Sequence, residues 1–535
     1  MSKVFIFFVT IFCLIFFSAT ETFAAEVGHG KKILYIPIDN RPCNLKQVVE
    51  VAEKLGYEIL TPPENFLGTG ASDELLGNPE KIWNWLEENS FGADAAVIST
   101  DAMIYGSLVA SRKHDLSAEE VLTRVKKFEN YRKNFPSLPI YAFSTIMRTP
   151  TLSGSSAEPE YYKKYGDMIY NYAALKDKSE FEKISRREKN QIANFEKEIP
   201  EDVMKDWFNR REKNYNANKF FIDLMNAETF QFLVIGCDDN SFYSQTHLES
   251  RHLNEYAKNF NLGKTQFQIM AGADELGMLM VARAINKDLN EIPFVAVGYN
   301  DGVGANTIPS YSNEKISDSI EGAIIAAGGL KVPSAERADF VVAVNTNYDG
   351  KTFSASSAKN NLKPRKGTKN FMKLLNSYVE KNYRVGVADI STSNGSDNAL
   401  MEQIRKNNLQ FKISAYGGWN TPTNASGFLI GEGVLTKFLS DHEKNSLLLT
   451  RYFDDWIYQA NVRTQIANGL IWTVPGEGNY SKLDGKRAGL EKLTAELAKK
   501  FADENIILPT NNKVKNLSAN FIWNRCFECD FSFEY

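Results

Sequence analysis

Histidine and cysteine are both scarce in this chain, at five residues each in 535, and the shortage narrows its chemistry. His247 and His252 stand five apart, the wrong spacing for one helical face, so a histidine-rich transition-metal site is not expected. The G-x-x-x-x-G-K-[ST], G-x-S-x-G and H-E-x-x-H patterns are missing, which leaves a P-loop, a serine-hydrolase elbow and a zincin unsupported. There is no excess of basic charge either. A formal net charge of −4 and a pI near 6.0 argue against nucleic acid as a partner, since such proteins usually carry a strongly basic face.

Long apolar runs are confined to the amino terminus. Lys3, the run Val4 to Phe17 and the small and polar stretch Ser18 to Ala25 read as a signal peptide over 1–25, cleaved near Ala24 or Ala25, because a spanning helix needs about 20 apolar residues. The expected protein is therefore secreted or in the cell envelope, with no stable membrane span after cleavage. Cys13 falls in that segment. Of the other cysteines, Cys526 and Cys529 can form a disulfide, join a metal site or lie as buried thiols among aromatics, while Cys43 and Cys237 both follow strand ends and can approach each other.

What the chain has in abundance is polar residues at the ends of apolar runs. ILYIPI leads into Asp39-Asn40-Arg41, AAVIST into Asp101, IYAFSTIM into Arg148, FLVIGC into Asp238-Asp239-Asn240, and QIMAGA into Asp274-Glu275. FVAVGYN precedes Asp301, FVVAV precedes Asn345, VGVA precedes Asp389, and FKISAYGG precedes Trp419-Asn420. In parallel α/β folds the carboxyl ends of the strands line the ligand crevice. Strands of four to eight residues alternate with amphipathic stretches from Lys31 to about Ile430, beginning with a crossover helix that carries Leu45, Val48, Val49, Ala52 and Leu55 on one stripe. About ten strands, two more than one eight-stranded barrel needs, favour an α/β protein of two doubly wound parallel-sheet lobes; an elaborated α/β barrel is the alternative. The lobes are expected at 31–290 and 291–430, with a helical insertion at 153–227 and a helical region with an aromatic tail at 431–535. The polar insertion lies between two strand ends, so it reads either as a lid over the crevice or as a solvated helical hairpin.

Asp238 and Asp239 are adjacent at a strand end and point in different directions, so one can face a reacting bond while the other orients a ligand; either alone can also cap the next helix. Asp101, flanked by Ser99 and Thr100 and followed by Tyr105, suits polyhydroxylated ligands. Arg41 and Arg148 can clamp a ligand or pair internally with a carboxylate. Asp274 is expected to N-cap the helix that follows, leaving Glu275 as a possible acid or ligand. Trp419 offers a flat wall for a sugar ring or is plain core, and Asn420 offers an amide. The catalytic candidates are thus Asp101, Asp239 and Asp238. Asp39, Asn40, Arg41, Tyr105, Arg148, Asn240, Glu275, Asp301, Asp389, Trp419 and Asn420 are the binding candidates. No metal ligand set is assigned and no cofactor is expected, although Ca²⁺ or Mg²⁺ on carboxylate and carbonyl oxygens stays open.

Taken in order, IPIDNRPCN, STDAMIYGSLVASR, IMRTP, GCDDN, GADELG, YGGWNTPTNASG, RYFDDWIYQANVR and WNRCFE resemble the bacterial family called domain of unknown function 4127, from about Lys31 to Glu528. Asn40 stands where an acidic residue is expected in that family, and Ser107 and Gly417 stand where small residues vary. The resemblance implies no activity. From the residues themselves, the expectation is an exported carbohydrate-active hydrolase, a glycosidase with paired carboxylates acting on a small-molecule or oligosaccharide ligand. The alternatives are a non-catalytic saccharide or solute-binding protein and a metal-dependent esterase or phosphoesterase.

Overall fold

The computed structural model describes residues 27–151, 156–466, 483, 485–509 and 513–535. The signal segment and Cys13 fall outside them. Six parallel strands form the first sheet: β1 (Lys32–Ile36), β2 (Glu58–Leu60), β3 (Ala95–Ser99), β4 (Ile140–Ile146), β5 (Phe232–Cys237) and β6 (Phe267–Ala271), in the order β2-β1-β3-β4-β5-β6. The second sheet takes β7 (Phe294–Tyr299), β8 (Leu330–Lys331) and β9 (Phe340–Asn345). The two-residue β10 (Phe353–Ser354) pairs with β12 (Thr392–Ser393) beside it, and β11 (Val385–Asp389) and β13 (Ala415–Gly417) complete the order β13-β11-β9-β7-β8. Both sheets are open, which settles the choice against a barrel. In each, the first strand lies between the second and the third, so the winding reverses between β1 and β3 and again between β7 and β9. Ligands of doubly wound sheets bind at that reversal, outside the carboxyl ends.

The apolar runs dictate this arrangement. Strands β3, β4, β5 and β9 are buried along their whole length, as continuous hydrophobic runs in a sheet covered on both faces should be. Leu34 lies opposite Ala96 and Val342 opposite Gly386, and these registers bring the polar residues after each strand to one edge.

One apolar core runs from the first sheet to the second. Tyr35, Val97 and Phe143 belong to the same buried cluster as Leu279 of the helix Leu276–Asp288, Leu429 of the helix Pro422–Gly433, and Phe340 and Val342 of the second sheet. Glycines permit the close approach. A Cβ on Gly277 would collide with the Tyr35 hydroxyl and one on Gly433 with the Phe340 ring, while one on Gly431 would lie 2.9 Å from Met278 Cγ. The lobes are thus packed together through helices rather than joined by a bare hinge.

The insertion holds three helices, Tyr162–Phe181, Arg186–Glu198 and Glu201–Asn226. The third buries Ala217, Phe221 and Ile222 with Val125 and Phe128 under the first sheet, and the second buries nothing. Tyr162, Ile169, Val203 and Trp207 make a small core of their own. The segment is therefore an anchored element with one outer helix.

The carboxyl-terminal region is helical as expected, over 441–466 and Arg487–Asn505, and it adds an antiparallel strand pair, β14 (Lys515–Asn520) with β15 (Asp530–Glu534). Their alternating apolar residues cover a cluster containing Phe453, Tyr458, Cys526 and Cys529. Cys43, Cys237, Cys526 and Cys529 are all free and buried. No helix among the described residues is long and apolar enough to cross a membrane.

Overpacking the shared core should weaken both lobes at once. Gly277→Ala should lower unfolding stability by about 1–3 kcal/mol, with the loss seen in a single denaturant transition. Two resolved transitions, only one of them shifted, would contradict a continuous core.

Candidate functional site

Asp39 follows β1 and is fully buried. It accepts from the Arg41 backbone N at 3.1 Å, from Arg41 Nε at 3.0 Å and from Asn44 Nδ2 at 2.8 Å. The other end of the Arg41 guanidinium forks onto Asp274, with Nη1 donating to Oδ2 at 3.1 Å and Nη2 to Oδ1. Asn44 also reaches Asp274, at 3.3 Å, and Asn420 Nδ2 donates to it from the second lobe. Asp274 is therefore not the expected N-cap. The helix Leu276–Asp288 starts without a side-chain cap, because a buried guanidinium draws that carboxylate away. Asn40 accepts from Trp523 Nε1 at 2.9 Å and donates to Glu64 at 3.4 Å, which ties the β1 turn to the carboxyl-terminal stretch.

A second network begins one strand further on. Asp101, 2% exposed, accepts from the Thr145 backbone N at 2.9 Å and its hydroxyl at 3.0 Å. Burial, and to a smaller degree the charge of Asp238, push its carboxyl up to about 7 against the pull of Thr145. Asp238 pairs with Arg112, and Arg112 also faces Glu158 at 3.5 Å. Arg148 closes the series, donating from Nε to Glu158 at 2.7 Å and from Nη1 to Asp239 at 2.9 Å. The adjacent carboxylates do point apart, each to its own arginine, with Asp239 at the positive φ of 38° that turns the chain. Burial raises Asp238 as well; Arg112 opposes the rise while Asp239 and Asp274 add to it, so the two networks share one field. Asp239 is the open member, its side chain 27% exposed.

Several expected binding residues lie elsewhere. Tyr105 stacks on His114 at 4.7 Å. Trp419 is only 5% exposed and packs against Phe527, with ring centroids 5.9 Å apart. Neither indole nor phenol is an open platform, because each ring already has a partner. Asn240 is turned inward, accepting from Ser241 N at 2.9 Å and Ser244 Oγ at 3.0 Å and donating to Asn313 at 2.7 Å. Asp301 is exposed and accepts from Asn370 at 2.8 Å. Asp389 sits in a cluster of its own lobe, accepting from Asn345 at 2.9 Å, Tyr416 at 2.8 Å and the Asp397 backbone N at 2.7 Å. Burial, then Asp397, push it up to about 6. Glu275 fills the space left by Gly272 and Gly427, fully buried, and burial pushes it up to about 8.

Reading the sequence missed Arg112, Glu158 and the pair Asp454 and Asp455. The last two lie in a π-helix, Tyr452–Val462, a form that recurs at functional sites. Arg451 meets Asp454 at 3.1 Å and Asp455 at 3.5 Å, and Asp455 accepts from the Gly418 backbone N at 2.8 Å, which holds the turn that delivers Asn420. Two adjacent acids inside an otherwise apolar helical stripe were the available signal. Glu158 gave none, lying in a polar segment where acids are common.

The fold and site define a two-lobed α/β protein with a network of carboxylates and arginines along the carboxyl edge of its first sheet. The chain belongs to the family described as "Protein of unknown function (DUF4127)", whose model matches residues 33–532. No curated protein and no solved structure matches it. No group of three or more His, Cys, Asp or Glu side chains set to hold a metal ion occurs among the described residues.

The raised carboxyl of Glu275 has a pH consequence. The unfolded chain gives up this proton near the ordinary value of 4.5 and the folded chain only near 8, so stability is lost as pH rises between them. Glu275→Gln should therefore be more stable than the parent at pH 9 and gain less, or nothing, at pH 4. Thermal unfolding at the two pH values measures this, and an equal shift at both would contradict it.

Proposed function

We propose that the protein is a carbohydrate-active hydrolase, acting outside the cytoplasmic membrane, that cleaves glycosidic bonds with carboxyl groups of the first-lobe crevice. One observation carries the reading: neighbouring carboxyls stand in opposite electrostatic settings. Asp101 and Asp238, both raised by burial, interact and share the tendency to keep a proton, while Asp239 is partly open and faces Arg148. Glycoside cleavage needs one protonated carboxyl to assist departure and one ionised carboxylate to attack or to activate water. Asp101, raised furthest toward neutrality, is the proposed acid, and Asp239, partly open and paired with Arg148, is the proposed nucleophile or base.

The charge balance supports a neutral, hydroxyl-rich substrate. Asp39, Glu158, Asp238, Asp239 and Asp274 pair with Arg41, Arg112 and Arg148, five acids against three guanidinium groups. Such an excess repels phosphoesters and other anions. The core that runs through both lobes gives no support to the hinge closure expected of a solute-binding protein.

Asp101→Asn and Asp239→Asn should each lower kcat by about 100-fold or more while ligand binding persists. Chromogenic glycosides and cell-wall fragments serve as the substrate panel. Near-parental turnover in both variants would discard the assignment, and a parent inactive across the panel would discard the hydrolase.

A further inference from the structure

The left-handed region of backbone space is unfavourable for residues other than glycine, and for a bulky side chain it marks strain that tends to gather at functional sites. Four non-glycine residues in that region form a chain from the end of β5 into the second lobe: Asp239 (φ 38°), Tyr311 (φ 64°), Asn394 (φ 58°) and Asn420 (φ 60°). The Asn240 backbone N donates to the Tyr311 carbonyl at 3.1 Å, which pins the loop after β7 to the end of β5. The Tyr311 hydroxyl faces the Asn394 side chain, and partial burial, then the Asp239 carboxylate, raise it. Asn394 N in turn donates to the Asn420 carbonyl at 2.7 Å, and Asn420 reaches back to Asp274.

Tyr311 is the least expected member. Asn and Asp tolerate a positive φ through local hydrogen bonds, whereas tyrosine gains nothing from it. Its side chain does not account for the strain through burial either, since the residue is 44% exposed, unlike Trp419 and Tyr105 with their occupied ring faces.

The geometry points to Tyr311 as the platform of a saccharide subsite, a ring held open beside Asp239 and Arg148, on which one face of a substrate sugar stacks, with Asn394 and Asn420 as its amide neighbours. This rests on the carbohydrate reading of the crevice and adds a specificity residue from the second lobe. An aromatic ring gives a sugar apolar contact without adding charge to a crevice that already carries an acid excess.

The test uses Asp101→Asn protein, so that turnover does not consume the probe, and calorimetric titration with cellotetraose, chitotetraose and maltotetraose. At least one should bind. Adding Tyr311→Phe should keep affinity within about 3-fold, because the ring remains, and Tyr311→Gly should weaken it about 10-fold or more. Tyr311→Gly should also leave the unfolding midpoint unchanged or higher, because glycine relieves the positive φ. Unchanged affinity in Tyr311→Gly overturns the platform whatever the turnover results, as does lost affinity accompanied by a fallen midpoint, which would make the residue structural. Failure of all three tetrasaccharides to bind overturns the subsite together with its ligand class. Binding that depends on Tyr311 in a parent that hydrolyses nothing leaves the subsite standing and removes only the hydrolase.

Discussion

Charge taken out of water must meet opposite charge or take up a proton, and the carboxyl edge of the first sheet is organised around that requirement. Arg41, Arg112 and Arg148 each bridge two acids, so every guanidinium is matched and the acids outnumber them. Burial outweighs the partners at two of these acids: Asp101 moves up to about 7, and Asp238 rises as well. Breaking a buried pair of this kind leaves an uncompensated charge, at a penalty of about 3–5 kcal/mol. The arginines therefore fix where each paired acid stands while burial raises the unpaired Asp101, and the functional reading rests on that division.

The same constraint explains how distant segments serve one place. Glu158 comes from the insertion, Asp274 from the end of β6, Asn420 from the second lobe, and Trp523 from the stretch between β14 and β15. They meet because the lobes share a core and cannot drift apart without exposing it. Arg451, between Asp454 and Asp455 of the π-helix, repeats the pattern beneath the second lobe, where it supports the Gly418 turn. Burial raises Asp454 too, pushes Asp455 up to about 7, and pushes Glu432 beside them up to about 8. Rigidity is thus placed beneath this edge, while Asp239 and Tyr311 stay partly exposed above it.

Much of the fold was legible because continuous apolar runs and their spacing are local signals: the parallel strands, the two lobes and the helical insertion all follow from them. Asp39, Asp101, Arg148, Asp238 and Asp239 were legible for the same reason, since a strand end is a position the sequence reveals. Partner choice was not. Asp274 read as a cap because the helix after it is local, whereas Arg41 lies 233 positions away in sequence. Tyr105 read as a platform and Trp419 as a platform or core, because composition reports an aromatic ring and not what already covers it. Tyr311 was overlooked for the opposite reason, since its importance lies in a backbone angle and in neighbours drawn from two lobes. The β14–β15 pair was hidden in a tail whose aromatics are equally compatible with helix packing.

The central claim is that one buried carboxyl at the carboxyl edge of the first sheet, Asp101, keeps its proton close to neutrality near a partly open carboxyl paired with Arg148. Carboxyl carbon-13 NMR on protein labelled at the aspartate side-chain carbon measures this directly. Asp101 is expected to titrate with a midpoint near 7, in a resonance that vanishes in Asp101→Asn. A spectrum in which the resonance lost in Asp101→Asn titrates near the ordinary aspartate value of about 3.9 would contradict the account.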